Sequence, residues 1–127
     1  MTENEIAREI VDAAYQVHTA LGPGLLESVY EAVLELELTK RRLYVVRQAP
    51  LPVIYQGLRV EIGFRPDMIV EEKVIIELKS LEQLAIIHRK QLLTYLRLAD
   101  KRLGLLINFG AARIKDGIIR IANNLEP

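Results

Sequence analysis

Asp67, Glu77 and Lys79 are the residues whose types and spacing could do chemistry in this 127-residue chain. Val74-Ile75-Ile76 reads as a buried strand, yet it continues into Glu77-Leu78-Lys79. Side chains alternate faces along a strand, so Glu77 and Lys79 share one face and Ile76 and Leu78 take the other. Asp67 stands on the preceding strand, and register decides where it falls. An odd-length connection centred on Glu72, such as Glu71-Glu72-Lys73, puts Asp67 directly opposite Glu77. A two-residue turn at Glu71-Glu72 puts it opposite Ile76, on the wrong face. In the first register two carboxylates and an ammonium converge on a small area of sheet. Facing carboxylates repel unless a cation intervenes. Mg²⁺ prefers hard oxygens, takes one or two protein carboxylates and keeps waters that exchange with substrate phosphate. A lysine beside such an ion can position the attacking water while the ion polarises a phosphodiester. Solvated strand-end charges joined by ordinary ion pairs are the competing account of the same triple.

Other residues gather around this triple. Gly22-Pro23-Gly24 precedes Glu27, which falls in the first turn of a helix. The helix dipole alone favours an acid there, and a carboxylate just past a glycine-rich bend could also reach a metal on the sheet. Tyr30 lies on the same side of that helix. His88, Gln91 and Tyr95 are spaced by three, four and seven positions, which places them on one stripe of a third helix; a satisfied core network would account for any one of them alone, and the three together read as the wall of an active site. His18 reads as a packing or surface histidine. In an expected hairpin turning at Asp116-Gly117, Arg113 faces Arg120, with Lys115 on the same face. A phosphate backbone would explain that like-charge pairing, and a solvated, charge-protected edge would explain it equally.

The elements that must hold these residues are legible from pattern. Thr2 and Glu5 form a capping box, and the spacing of Ile6, Ile10, Ala13, Val17 and Leu21 predicts a helix to about Ala20. A second helix is expected from Leu25 to Arg42. Strand formers follow from Tyr44 to Ile62, with a turn at Gln56-Gly57. Strands are expected over Asp67–Val70 and Lys73–Lys79, a third helix over Glu82–Ala99, and a central strand over Leu103–Phe109. The closing hairpin pairs Arg113–Lys115 with Ile118–Ile121. The order α-α-β-β-β-α-β plus a hairpin, without repeat or linker, reads as one α+β domain over residues 1–127.

Lysine plus arginine and aspartate plus glutamate number 17 each, so the net charge is zero. That counts against indiscriminate nucleic-acid binding, whose usual footprint is a basic excess. With no cysteine, disulfides and thiolate metal sites are excluded. The polar N-terminus is unlike a secretory signal and no apolar run is long enough to cross a bilayer, which predicts a cytoplasmic protein without membrane partners.

The sequence resembles the GxxExxY family, assigned to the PD-(D/E)XK nuclease superfamily. The naming motif stands as Gly24-Leu25-Leu26-Glu27-Ser28-Val29-Tyr30, and the superfamily signature as Pro66-Asp67 followed by Glu77-Leu78-Lys79. Gln91 and Tyr95 match the Q-x-x-x-Y form found in some branches. The resemblance runs from the first helix to the final hairpin. It implies a restriction-endonuclease-like αβββαβ core with a central mixed sheet, an extra N-terminal helix and a C-terminal β-hairpin. It also implies a metal-dependent nuclease acting on nucleic acid, with DNA ahead of RNA. Asp67, Glu77, Glu27 and the Leu78 backbone carbonyl would hold Mg²⁺ or Mn²⁺, Lys79 would position or activate water, and Gln91 and Tyr95 would support Lys79 or contact substrate. Arg113, Lys115 and Arg120 would meet nucleic acid. The rival is a non-catalytic nucleic-acid-binding or protein-interaction module that keeps the fold. So small a nuclease would address two strands as a homodimer or with a partner protein.

Overall fold

The structure is a computed structural model that describes residues 1–125. Helix α1 (Glu3–Leu21) starts at the expected capping box: Glu5 N–H donates to Thr2 Oγ1 (3.2 Å) and Thr2 N–H to Glu5 Oε1 (2.9 Å). Those bonds hold the Glu5 carboxyl below its usual range. At the other end Gly22 takes φ 72° and closes the helix by donating to His18 O. Helix α2 (Glu27–Lys40) begins two residues later than the pattern predicts. The Leu25 N–H is engaged by the Tyr30 hydroxyl instead, so the chain is still turning there.

Strand β1 (Val45–Arg47) is followed by a ribbon of β2 (Leu51–Tyr55) and β3 (Leu58–Phe64). Then come β4 (Met68–Val70), β5 (Val74–Lys79), helix α3 (Ile86–Ala99), β6 (Leu103–Asn108), the short helix α4 (Ile114–Gly117) and β7 (Ile118–Ala122). The main sheet has the order β1-β4-β5-β6-β7, with β5 and β6 parallel and the other neighbours antiparallel, while β2 and β3 form a separate two-stranded sheet. This is the mixed central sheet, with helices on both faces, that the resemblance implies. Helices α1 and α2 cover one face, packing Ile6, Ile10, Tyr30 and Leu34 on Met68, Ile76, Leu78 and Leu105. Helix α3 covers the other, packing Leu92 and Leu96 on Ile69, Ile75 and Leu106. Gly104 lets α3 approach, since a Cβ there would lie 2.9 Å from Leu92 Cδ1. No helix among the described residues is long and apolar enough to cross a membrane.

Two expectations are corrected. Helix α3 starts at Ile86, not Glu82, because the Asn108 side chain holds both the N–H and the carbonyl of Leu81 and keeps the chain out of helix. The closing antiparallel pair exists, but its strands are β6 and β7, not Arg113–Lys115 and β7. Residues 114–117 make a helical turn that drops Ile114 into the core, and Asp116-Gly117 ends that turn instead of forming a hairpin tip. An apolar strand such as Ile118-Ile119-Arg120-Ile121 gains far more by pairing with the buried β6 than with an exposed tripeptide.

Candidate active site

The register of β4 and β5 answers the question raised by the acid on the end of a core strand. Met68 pairs with Ile76, Ile69 with Ile75 and Val70 with Val74, so the next pair in that ladder is Asp67 with Glu77. The connection is the three-residue turn Glu71-Glu72-Lys73, with Glu71 and Glu72 in left-handed backbone conformation (φ 53° and 58°) and Lys73 N–H donating to Val70 O.

At Asp67 and Glu77 the backbone ladder gives way to side chains. Asp67 N–H donates to Glu77 Oε1 (3.0 Å), and Leu78 N–H donates to Asp67 Oδ2 (2.7 Å). Each carboxylate thus caps a backbone donor of the other strand and is fixed in place by it. Glu77 is only 8% exposed. Burial, and then the neighbouring Asp67 charge, push its carboxyl up to about 8, while the Asp67 N–H bond and the Lys79 charge pull in the opposite direction. Glu77 Oε2 has no hydrogen-bond partner among the described residues, and it is not sealed from solvent. Lys79 is half-buried on the same face and makes no ion pair with either acid among the described residues.

Tyr95 of α3 closes this face. It is half-buried and stacks on Phe64, with ring centroids 4.6 Å apart. Burial raises its phenol above the usual value, helped by the Glu77 and Asp67 charges, which places the ring within their field. Gln91 is exposed and makes no hydrogen bond to these groups among the described residues. His88 is a helix cap: its Nδ1 accepts from Ala85 N–H (3.0 Å) at the start of α3. His18, as expected of a packing residue, ties α1 to the segment before α4 through Nε2 and Ala111 O (2.9 Å).

Glu27 stands at the first turn of α2, as expected, but apart from the pair. It is exposed and lines an open cleft of about 730 Å³ with Ser28, Ser80 and Glu82. Ser80 Oγ donates to Leu25 O, which fastens the bend carrying Glu27 to the end of β5. Among the described residues no three His, Cys, Asp or Glu side chains are grouped closely enough to hold a metal ion. The structure therefore joins Asp67 to Glu77, while Glu27 lines the cleft at the C-terminal end of β5 and is not grouped with them.

The basic residues are distributed differently from the hairpin expectation. Arg113 pairs with Asp116 on the surface (3.2 Å), and Lys115 is exposed on α4. Arg120 lies opposite Leu105, on the α1 face of the sheet, where it lines a groove with Arg8 and Asp12. The like-charge facing of Arg113 and Arg120 does not exist, and Arg120 is on the opposite face from Asp67 and Glu77.

Two residues were not singled out from sequence. Gln48 follows β1 with φ 54°, and its backbone N–H donates to Asp67 O (3.1 Å). Its amide nitrogen reaches both Asp67 Oδ1 (3.2 Å) and Glu31 Oε1 (2.8 Å). Glu31 is buried and is neutralised by Arg47, whose Nη2 lies 2.7 Å from Glu31 Oε2 and whose Nη1 also reaches Glu35 (3.2 Å). Holding that pair keeps the Arg47 guanidinium above its ordinary range. The available signal was the spacing of Glu27, Glu31 and Glu35, which puts three acids on one helix side with no basic residue between them.

Residues 4–121 match the profile of the PD-(D/E)XK nuclease superfamily. Among solved structures the chain is similar to one described as "Crystal structure of SSO0001", with 25% identity and a TM-score of 0.57 over 79% of this chain and 52% of that one. The chain thus spans about half the length of that relative. A comparison with curated proteins gave no match.

Proposed function

The chain belongs to the PD-(D/E)XK nuclease superfamily, and from that premise we propose that it is a Mg²⁺- or Mn²⁺-dependent nuclease that hydrolyses phosphodiesters, in DNA ahead of RNA. The observation that carries this reading is the Asp67–Glu77 pair: two adjacent carboxylates, one of them buried, its carboxyl pushed up to about 8 by that burial and then by the charge of the other. Such a pair lacks positive charge, and its oxygen-only donors fit a hard divalent ion. Asp67 and Glu77 would hold the ion, with the Leu78 carbonyl as a further ligand and Glu27 as an acid at the edge of the shell. When bound, the ion would supply charge neutralisation and polarisation of the phosphodiester.

The chain's own residues supply the rest. Lys79, on the same face as Glu77, orients the water that attacks phosphorus and offsets negative charge there. Tyr95 walls the site, and its desolvated phenol stays a neutral donor toward a phosphate oxygen. Gln91, exposed on the same helix, contacts substrate instead of supporting Lys79. Purified protein with Mn²⁺ and end-labelled single- and double-stranded DNA is expected to give products that disappear on chelation. Lys79→Ala is expected to slow cleavage by about 10²-fold or more while Mn²⁺ affinity changes less than tenfold. Cleavage that survives chelation would overturn the reading.

Gln48 is a positioning residue in this scheme, because it fixes Asp67 Oδ1 and shields it from Glu31. Replacing an outer partner of a metal ligand generally costs 10–100-fold in affinity. Calorimetric titration of Mn²⁺ into Gln48→Ala is expected to show a loss of about that size, with the heat-unfolding midpoint falling by a few degrees at most.

The alternative is a non-catalytic nucleic-acid-binding or protein-interaction module. The zero net charge and the separation of Glu27 from the pair favour it. It requires nucleic-acid binding that chelators and Lys79→Ala leave unchanged.

A further inference from the structure

The ribbon of β2 and β3 leaves an apolar strand without a neighbour. Leu58, Val60 and Ile62 of β3 are 64%, 46% and 56% exposed, and Tyr55 beside them on β2 is 67% exposed. The pairs Val53–Val60 and Tyr55–Leu58 put these residues on one face of the ribbon. The main sheet does not continue onto β3, whose only strand neighbour among the described residues is β2. A lone two-stranded ribbon with an open apolar edge is at most marginally stable in water and is a template for pairing.

The edge is complementary to itself. Gln56 and Gly57 both have positive φ (47° and 83°), as a type I′ two-residue turn requires, so Tyr55 and Leu58 exchange backbone hydrogen bonds across the ribbon. Hydrogen-bonding direction alternates along a strand. Arg59 and Glu61 therefore point their N–H and C=O groups away from β2, toward the open edge. An antiparallel partner related by a two-fold axis at Val60 would pair Arg59 with Glu61 and Leu58 with Ile62 of the other copy. Arg59 and Glu61 lie on one face of β3 and already form an ion pair within the chain (2.7 Å), both side chains being largely exposed. In the pairing above, two copies would make an alternating four-charge cluster on one face and a continuous Leu-Val-Ile strip on the other. Backbone direction, charge and side-chain size all agree on the same axis.

We propose that β3 is a homodimerisation strand. Two copies pair through it, antiparallel about Val60, into a four-stranded sheet of order β2-β3-β3-β2. The occupant is a second copy of this chain because the same short segment supplies both halves of the charge pattern, as a two-fold interface demands. The interface does not depend on any catalytic reading. It does fix how two sites would be spaced, since Asp67 lies seven residues along the chain from Val60, within about 25 Å of the axis even if fully extended.

Sedimentation equilibrium of the wild type, Arg59→Glu, Glu61→Arg and their equimolar mixture tests this. The wild type is expected to dimerise. Each single variant sets like charges opposite each other twice and is expected to weaken dimerisation at least about tenfold. In the mixture one chain carries two acids and the other two arginines, so every cross-strand pair is again opposite. A heterodimer within about threefold of wild-type affinity is expected, an outcome that misfolded variants could not give. A monomeric wild type, a dimer that both single variants retain, or a mixture that fails to reassociate would each overturn the proposal. A monomer that loses only duplex-DNA binding in these variants would assign the ribbon to nucleic acid instead.

Discussion

Glu77→Gln is expected to abolish metal-dependent cleavage while making the metal-free protein more stable at alkaline pH. Loss of one carboxylate ligand removes several kcal/mol of charge stabilisation, so cleavage should fall by about 10³-fold or more. The stability effect follows from linkage. The folded-state carboxyl, at about 8, lies above the value near 4.5 that it has when unexposed to this environment. Between those values the folded protein binds the extra proton, so metal-free wild-type stability is fully present below about pH 4.5 and falls as pH rises through 8. The loss is on the order of 3–5 kcal/mol, and glutamine, which cannot ionise, should remove that slope. Denaturant unfolding of both proteins at pH 5.5, 7 and 9 in chelator measures it. A wild type whose stability is flat across that range would refute the burial-and-repulsion account of the pair. Divalent ion, by favouring the ionised form, should restore wild-type stability at pH 9 and leave the variant unchanged.

This pair was also the best-read part of the sequence. Strand alternation fixed the faces of Glu77 and Lys79, and only the length of the connection remained open. The odd loop could not be inferred from residue type, because Glu71 and Glu72 are poor candidates for left-handed backbone. Gln48 was hidden for a related reason: a polar residue after a strand carries no pattern that aims its amide at residues 17 and 19 positions away. Asp116-Gly117 carries the local chemistry of a hairpin turn, which takes no account of the core. Burial of Ile114 and the pull of β6 outweigh a two-residue hairpin. The helices are legible because their apolar stripes are local, and their ends are not legible where a side chain, the nearby Tyr30 or the distant Asn108, takes the backbone groups.

Tyr30→Ala is expected to be among the most destabilising substitutions in the chain. The side chain is fully buried and stacks nearly parallel on Phe109 (4.5 Å, 4°). Its hydroxyl donates to Gly22 O and accepts from Leu25 N–H, bracing the Gly-Pro-Gly bend from inside. Removing a buried aromatic ring costs about 3–5 kcal/mol, which should lower the unfolding midpoint by roughly 10–20 °C. Tyr30→Phe keeps the ring and is expected to cost about 1–2 kcal/mol. It frees the bend that carries Glu27, so under the nuclease reading cleavage should fall further than that stability loss explains. Calorimetry beside a cleavage assay separates the two effects. A Tyr30→Phe protein with wild-type cleavage would show that the tyrosine serves packing alone.

The turn at residues 71–73 has a further consequence, for what variation this fold can accept. Because strand faces alternate with every residue, that turn works as a counter whose parity decides whether Asp67 meets Glu77 or the hydrophobic Ile76. Glu72 and Lys73 are exposed and Glu71 is half-buried with its carboxylate accepting from Tyr44 N–H (2.7 Å), so the residues at the two exposed positions could change with little effect on the fold. The number of residues in the turn could not. Inserting or deleting one residue there, about 13 Å from the carboxylates with three strand positions intervening on each side, would act like a frameshift written in three dimensions. It would turn an acid into the core and bring a methyl group out to where a charge is required.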